Sequence, residues 1–255
     1  MQRFCLLLAF FLFVGAHGAR ADDDFSDVCH ASSSYDLTVT PDSLVFDRAE
    51  AAPRRIELRA GNATLDGAKL SLNTEDRDRL LLFEQELRTL IPKARTVARN
   101  GVDLAIKAMQ AETAAIGASA ETLAALDASL ASRGGEIKRR IAASASTHDW
   151  QGDVIDRYAT DIAADIAPLI AADLGQQAIA AALEGDGDAA AALRERAADL
   201  SGNLRPRLER RMQALRPQIE ALCPSIRRLS ELQRGVRGAD GRPLDMLEVQ
   251  SPKKK

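Results

Sequence analysis

The sequence predicts an α+β, mostly α fold, in which a small N-terminal antiparallel β-unit packs on a bundle of long, Pro-kinked, Ala-rich amphipathic helices. Through the tract 74–234, apolar residues recur at three- and four-residue steps, and residues at that spacing share one face of an α-helix. Between residues 35 and 72, short segments alternate apolar and polar residues instead, which is typical of strands with one buried face. The strands can bury that face only against the helices, so the two parts should pack together.

The first 21 residues resemble a cleavable signal peptide. Arg3 supplies a short positive region, and the apolar run 4–14 is too short to span a bilayer. Ala19-Arg20-Ala21 matches the small-x-small cleavage pattern, so the mature chain should begin at Asp22. Export of a soluble protein is therefore predicted, with an uncleaved anchor as the alternative. No later stretch approaches the length of a membrane-spanning helix, so a transmembrane protein is not expected.

The charge balance gives no indication of a nucleic-acid partner. Without Arg3 and Arg20, the chain keeps 32 basic and 37 acidic residues, a net charge of −5. A strongly basic surface would be needed to attract the phosphate backbone.

The N-terminal segment 22–73 should hold the β-unit. Segments 35–40, 44–46, 55–59 and 69–72 alternate apolar and polar residues, and Asp66-Gly67 is a strong hairpin turn signal. Asn73 or Thr74 can then cap the first helix, with acidic residues in its first turn. Pro92 should kink or restart this helix near residue 91, and Gly117 should end it.

Further helices are predicted to complete the bundle over 74–234. One covers 121–145, with Gly134-Gly135 as a weak point, and the next covers about 150–184. A last long helix should run from Asp188 through bends at Pro206 and Pro217 to Cys223, and a short helix follows over 225–233. The C-terminal segment 235–255 should contain a loop, an edge strand at 243–249 added to the N-terminal sheet, and a disordered Lys tail.

Two cysteines remain after processing, Cys29 and Cys223. In an oxidising compartment an isolated even pair is most simply a disulfide, here closing a loop of 194 residues. The alternative is a metal site formed by Cys29, His30, Cys223 and His148, although no pair among them shows zinc-finger spacing. Neither a metal nor a cofactor is expected.

Charge is unevenly distributed along the helical tract. Residues 149–199 are rich in aspartate and residues 205–237 are rich in arginine. The favoured interpretation is that these helices are antiparallel neighbours whose charged edges attract each other. The alternative is a surface that contacts anionic envelope components through five arginines: Arg207, Arg210, Arg211, Arg227 and Arg228.

The sequence contains no recognised catalytic motif among nucleophile elbows, P-loops, dinucleotide fingerprints and metalloprotease signatures. His148-Asp149-Trp150 is the most site-like cluster, because a histidine beside a carboxylate and an indole could bind or catalyse. A structural interpretation also fits, with Asp149 as a helix cap and Trp150 as the first residue of an apolar stripe.

Several local motifs resemble the YggN-like family of uncharacterised exported proteins of Gram-negative bacteria, a domain of unknown function. The resemblance is carried by the signal peptide, an early cysteine, Asp36-Leu37-Thr38-Val39-Thr40-Pro41, Thr64-Leu65-Asp66-Gly67, Phe83-Glu84-Gln85-Glu86-Leu87-Arg88 and Ala221-Leu222-Cys223. It covers nearly the whole mature chain and implies a periplasmic location without an assigned enzymatic activity. It implies no catalytic residues.

The favoured function is that of an exported binding or interaction protein without catalytic activity, of chaperone-like or envelope-associated type. Long amphipathic helices without a catalytic set support this hypothesis, and the partner would be a protein or an envelope component. The rival hypothesis is a periplasmic hydrolase whose site forms around His148 and Asp149. A deep pocket that collects His148 and carboxylates would favour the hydrolase, whereas an apolar-lined site would favour binding.

Overall fold

The computed structural model describes residues 28–49, 52–150, 154–238 and 240–249, apart from some side chains between 154 and 205. The predicted signal peptide, residues 1–21, and the Lys tail lie outside these residues. The described chain has the predicted α+β, mostly α fold.

The β-unit is a five-stranded antiparallel sheet in which each strand pairs with the next along the chain. The strands are β2 (Asp36–Val39), β3 (Leu44–Asp47), β4 (Arg55–Arg59), β5 (Asn62–Leu65) and β6 (Ala68–Lys69). The register aligns Leu37, Phe46, Ile56 and Leu65 in one row across four strands. This row gives the sheet the single apolar face that the alternating pattern predicts.

The described residues form six α-helices. They are α1 (Thr74–Ala115), α2 (Ala120–Ala143), α3 (Val154–Leu183), α4 (Gly187–Met212), α5 (Arg216–Glu220) and α6 (Cys223–Gln233). Two 3₁₀ turns, Thr147–Trp150 and Gln213–Leu215, connect them. Helices α1 to α4 pack on one another as a bundle, and α6 lies against α1.

Helix α1 connects the two parts of the molecule. Its 42 residues give it a length of about 63 Å at 1.5 Å per residue. Asn73 caps it, because its Oδ1 accepts a hydrogen bond from the Asp76 amide at 2.8 Å. The helix continues through Pro92, so the alternative in which it restarts there is wrong. Its first half covers the β-unit and its second half packs in the bundle.

Glu84 fastens the β-unit to α1. Its carboxylate accepts hydrogen bonds from the backbone amides of Ala60 (3.1 Å) and Gly61 (2.7 Å) in the β4–β5 turn. Gly61 has φ +75°, and a Cβ there would lie 2.7 Å from the Arg77 carbonyl oxygen. Glycine is therefore required both by the turn conformation and by the close approach to α1.

The last predicted long helix, 188–223, is divided into α4 and α5 by a 3₁₀ turn, and α6 corresponds to the predicted short helix. Helix α4 ends at Met212, and the 3₁₀ turn is followed by α5 and α6, each with a proline in its first turn. Because proline lacks an amide hydrogen and fits the first turn, Pro217 starts α5 here instead of bending a longer helix, and Pro224 lies in the first turn of α6.

The C-terminal strand also differs from the expectation. Strand β7 (Glu248–Val249) pairs with β1 (Ala31–Ser32) in a separate two-stranded sheet. The five-stranded sheet therefore gains no strand from residues 243–249.

Gly134 has a packing role in α2, where the sequence indicated a weak point. The helix is continuous through Gly134-Gly135. A Cβ on Gly134 would lie 2.3 Å from the Ile106 Cδ1 atom of α1, whereas one on Gly135 would contact no atom closer than the Arg139 Nη1 at 3.5 Å. Gly134 thus allows α1 and α2 to approach closely.

Three hydrophobic clusters hold the fold together. The first joins the β-unit, the first half of α1, and α6, around Phe46, Phe83 and Leu229. The second is the core of the α1–α4 bundle, around Leu126 and Ile166. The third is small and joins the middle of α1 to the segment from Met212 to Ile219. These clusters meet along α1.

Candidate binding cavity

An apolar cavity of about 310 Å³ lies where the three clusters meet. One wall is formed by the β-unit through Leu37, Val39 and Phe46, and another by α5 and α6 through Ile219 and Leu229. The volume lies at the lower end of the range for small-molecule sites, about 300–1,000 Å³. An apolar cavity of this size favours an apolar occupant over water, because water would find few polar partners there.

Helix α1 forms the floor of the cavity and explains why the space exists. Along its inner face, the large residues of its first half give way to Ala94 and Ala98, which leave volume unfilled. At Gly101 the missing side chain allows Leu215 to approach, since a Cβ there would lie 3.2 Å from its Cδ2. The lining extends from Phe83 to Val102, which corresponds to about 28 Å along the helix. The cavity is therefore elongated.

The Cys29–Cys223 disulfide forms part of the cavity's boundary. Its Cα atoms are 5.2 Å apart, and Cys29 contributes to the lining. The predicted pairing is thus present in the structure, and in this form neither cysteine offers a thiolate to a metal. Among the residues the structure describes, no group of three or more His, Cys, Asp and Glu side chains could hold a metal ion.

The segment after Cys29 is joined to the C-terminal segment across the same wall. The Ser33 Oγ donates a hydrogen bond to the Met246 carbonyl oxygen at 2.6 Å, and the Gln233 amide of α6 bonds the backbone of Leu247. Both ends of the described chain therefore contribute to one side of the cavity.

The polar side chains of the wall lie mainly in the α2–α3 connection. Ser144, Ser146 and Thr147 line the cavity together with Arg95 of α1. The Ser144 Oγ accepts from the Trp150 Nε1 (2.9 Å), and the Thr147 Oγ1 accepts from the Leu37 amide (2.8 Å). The Arg95 Nη2 donates to the Ser144 carbonyl oxygen. Arg95 is the one charged residue among the lining residues of the described chain.

The predicted cluster His148-Asp149-Trp150 does not form a catalytic pair. The His148 side chain is 75% exposed, and its Nδ1 lies 3.4 Å from the Asp36 Oδ2 on β2. The Asp149 carboxylate instead accepts from the Ser144 Oγ at 2.9 Å. Trp150 is buried and lines the cavity, as Thr147 does, whereas His148 does not. The structure therefore brings Trp150 to the cavity and leaves His148 outside it.

Two arginines of the arginine-rich segment bond a carboxylate of α1, although α4 also packs against the acidic helix α3. Arg211 bonds the Glu112 Oε1 through Nε (2.8 Å) and Nη2 (2.7 Å), and Arg207 reaches the Glu112 Oε2 (3.3 Å). Arg207 also bonds Asp199 of its own helix at 2.5 Å. The role of Glu112 was not predicted from the sequence. A signal was present, because Glu112 is an acidic residue in helical register with the buried residues Ala105, Ala108 and Met109.

The described aspartates of α3 have other partners. Asp165 pairs with Arg133 of α2 at 2.7 Å, and Asp173 accepts from the backbone amide of Ser119 at 2.8 Å at the start of α2. Helices α3 and α4 are neighbours, as predicted, but Asp165 and Asp173 bond residues at α2 and not the arginines of α4. The side chains of Asp153, Asp156, Asp161 and Arg205 lie outside the described set.

The remaining arginines of the predicted anionic contact surface lie apart from the Glu112 cluster in the chain. Arg210 is exposed at the end of α4, and Arg227 and Arg228 are on α6. The Arg228 Nε lies 3.6 Å from the Glu86 Oε2 of α1. Contact of Arg210 and Arg227 with an anionic surface stays the alternative hypothesis, which the structure does not test.

Two buried carboxylates have perturbed pKa values. Burial alone would raise the pKa of Glu112, but the hydrogen bonds and charges of Arg211 and Arg207 outweigh burial and lower it. Burial would likewise raise the pKa of Asp173, and the hydrogen bonds from Ser119, Gln177 and Thr122 lower it overall. Both groups hold helices together and neither lines the cavity.

One described helical segment, Asp165–Leu183, is long and apolar enough to span a membrane, with a mean hydropathy of 1.4. The expectation that no stretch approaches this length was therefore wrong. Isoleucines and leucines, together with alanines, produce the hydropathy, while the segment also carries the paired Asp165 and Asp173. Its residues Ile179 and Leu183 are 63% and 84% exposed. A single such segment does not indicate a multi-span membrane protein.

The described chain is a mostly helical α+β protein with an apolar cavity where its three hydrophobic clusters meet. The chain belongs to the family described as "Protein of unknown function (DUF2884)", whose model matches residues 29–241. This confirms the predicted membership of an uncharacterised domain family, while the YggN-like name remains a resemblance. Comparison with curated proteins and with solved structures gave no match.

Proposed function

We propose that this protein is an exported, non-catalytic binding protein whose cavity takes up an elongated apolar ligand. The observation that carries the proposal is the cavity itself, with its apolar lining along about 28 Å of α1. Burial of apolar ligand surface against such a wall contributes about 25 cal/mol per Å². The Cys29–Cys223 disulfide is compatible with export.

The position of His148 supports binding over the rival hydrolase. A general base must lie within hydrogen-bond reach of the reacting group, whereas His148 is exposed outside the cavity and faces Asp36. The carboxylates of Asp149 and Glu112 are also absent from the lining residues. An elongated apolar wall without these groups fits a carrier or holding function.

Trp150 provides a direct assay for this proposal. It is the only tryptophan in the chain, and it is buried against the cavity. Titration of the purified, delipidated protein with dodecanol should change its fluorescence saturably, and calorimetry should give a matching stoichiometry. Dodecanol tests the apolar site alone, because it carries no charge.

A cavity-filling variant makes the test specific. Ala98→Phe places a phenyl ring in the cavity and should abolish dodecanol binding, whereas Ala114→Phe changes an exposed alanine of the same helix and should leave binding unchanged. Circular dichroism should show both variants folded. Absence of binding to wild type, or equal binding by Ala98→Phe, would refute the proposed function.

A further inference from the structure

We infer that the ligand is a single-chain amphiphile with a carboxylate head group, and that Arg95 binds that head group. This inference rests on the proposed function and specifies its ligand. Arg95 is the one cation among the described lining residues, and no carboxylate accompanies it in the wall. The cavity therefore combines a long apolar surface with one positive charge.

The environment of Arg95 leaves most of its hydrogen-bonding capacity for a ligand. Its half-buried guanidinium makes one hydrogen bond within the described structure, from Nη2 to the Ser144 carbonyl oxygen. A guanidinium carries five N–H donors. Arg133, Arg207 and Arg211 each meet a carboxylate within 4.0 Å, whereas Arg95 meets none among the described residues.

A charge at an apolar wall is costly unless a group of opposite charge meets it. The neighbouring hydroxyl oxygens cannot supply that charge, and those of Ser33, Ser144 and Ser146 already take part in local hydrogen bonds. An anionic head group would neutralise Arg95 while its chain filled the apolar part of the cavity. The planar guanidinium matches the geometry of a carboxylate, and such charge-assisted bonds are stronger than neutral ones.

The dimensions of the cavity favour one acyl chain. A chain that fills half of a bilayer's hydrocarbon core is about 15 Å long, which fits within the roughly 28 Å of α1 that lines the cavity. The volume of about 310 Å³ is small for a lipid with two chains, since sites for larger ligands extend to about 1,000 Å³.

The experiment compares three probes of equal chain length: laurate, dodecanol and dodecyl phosphate, each below its aggregation limit. Laurate should bind wild type more tightly than dodecanol. Arg95→Met should weaken laurate binding about 10-fold or more and leave dodecanol binding unchanged, which shows that the cavity is intact. Arg95→Lys should retain part of the preference for laurate. Arg99→Met, which removes an exposed arginine one helical turn away, should behave as wild type.

The outcomes separate this inference from the proposed function. If no probe binds, the proposed function fails and the inference falls with it. If dodecanol and laurate bind equally and Arg95→Met changes neither affinity, the apolar site stands and the head-group inference is overturned. Tighter binding of dodecyl phosphate than of laurate would overturn the carboxylate assignment in favour of a phosphate head group.

Discussion

Replacement of Glu112 by glutamine should destabilise the bundle in a pH-dependent way. Glu112 is 5% exposed and joins α1 to α4 through Arg207 and Arg211. Glutamine keeps the shape of the side chain but removes its charge and one acceptor oxygen. Both arginines would then lose a charged partner at a buried position.

The expected loss of stability in Glu112→Gln depends on how far Arg207 and Arg211 are exposed to solvent. Removal of one member of a fully buried ion pair costs about 3–5 kcal/mol. Here the side chains of Arg207 and Arg211 are 30% and 46% exposed, so both can regain water, and Arg207 keeps Asp199. Glutamine also retains one acceptor. We therefore expect the free energy of unfolding to fall by about 1–3 kcal/mol near neutral pH.

The pH dependence has a defined sign. Because folding lowers the pKa of Glu112, its contribution is fully present above the unfolded-state pKa and is lost as the pH falls through the folded-state pKa. The difference between wild type and Glu112→Gln should thus be constant above about pH 5 and shrink below about pH 4.

Urea unfolding followed by circular dichroism across this pH range is the appropriate measurement. Asp103→Asn is the matched control, because it also neutralises a carboxylate of α1 but its pair with Lys138 is 48% and 30% exposed. Asp103→Asn should lower the free energy of unfolding by about 0–1 kcal/mol. Equal midpoints for wild type and Glu112→Gln, or a difference that does not change with pH, would refute the reasoning.

Substitutions at three other places test features of the packing. Gly135→Ala should raise the free energy of unfolding by about 0.5–1 kcal/mol, because alanine has the higher helix propensity. Gly134→Ala should raise it by less, or lower it, because the added Cβ would meet Ile106. Equal effects of the two substitutions would contradict the packing role of Gly134. Glu84→Gln should lower the free energy of unfolding by about 1–3 kcal/mol and speed hydrogen exchange in the β4–β5 turn, since one of the Ala60 and Gly61 amides loses its acceptor. The exposed control Glu75→Gln should do neither. Cys29→Ala should lower stability by up to about 5 kcal/mol from loop entropy, and an unchanged urea midpoint would argue against that contribution.

The sequence was sufficient for the elements and their class but not for the cavity. Periodic apolar residues are local information, so β2, β3, β4, the helices α1 to α3 and the start of α4 could be predicted within a few residues. Strand β5 (Asn62–Leu65) was not among the predicted strands. Pro217 was misread because a proline is compatible with both a bend and a helix start, and tertiary packing decides between them. The pairing of β7 with β1 joins segments more than 200 residues apart, for which no local pattern exists.

The site could have been anticipated in part. Ala94 and Ala98 interrupt a stripe of larger residues on α1. Small side chains within an apolar stripe indicate either a close contact with another helix or unfilled space. The sequence does not distinguish the two, because that depends on how α5, α6 and the β-unit are placed. Glu84, Glu112 and Asp173 also stand in register with apolar stripes, and each has a buried role in the structure. Arg95 carries no such signal, since arginines are common on helix surfaces.

The shared wall of the cavity has a consequence for the order in which the protein matures. Cys29 emerges early during synthesis, but its partner Cys223 follows 194 residues later, and Met246 and Leu247 follow later still. A nascent chain can therefore form the β-unit on α1 while its cavity is still open on one side. If the cavity binds an amphiphile as proposed, binding requires a nearly complete chain. Full-length molecules would then bind the ligand, and molecules truncated before Met246 would not.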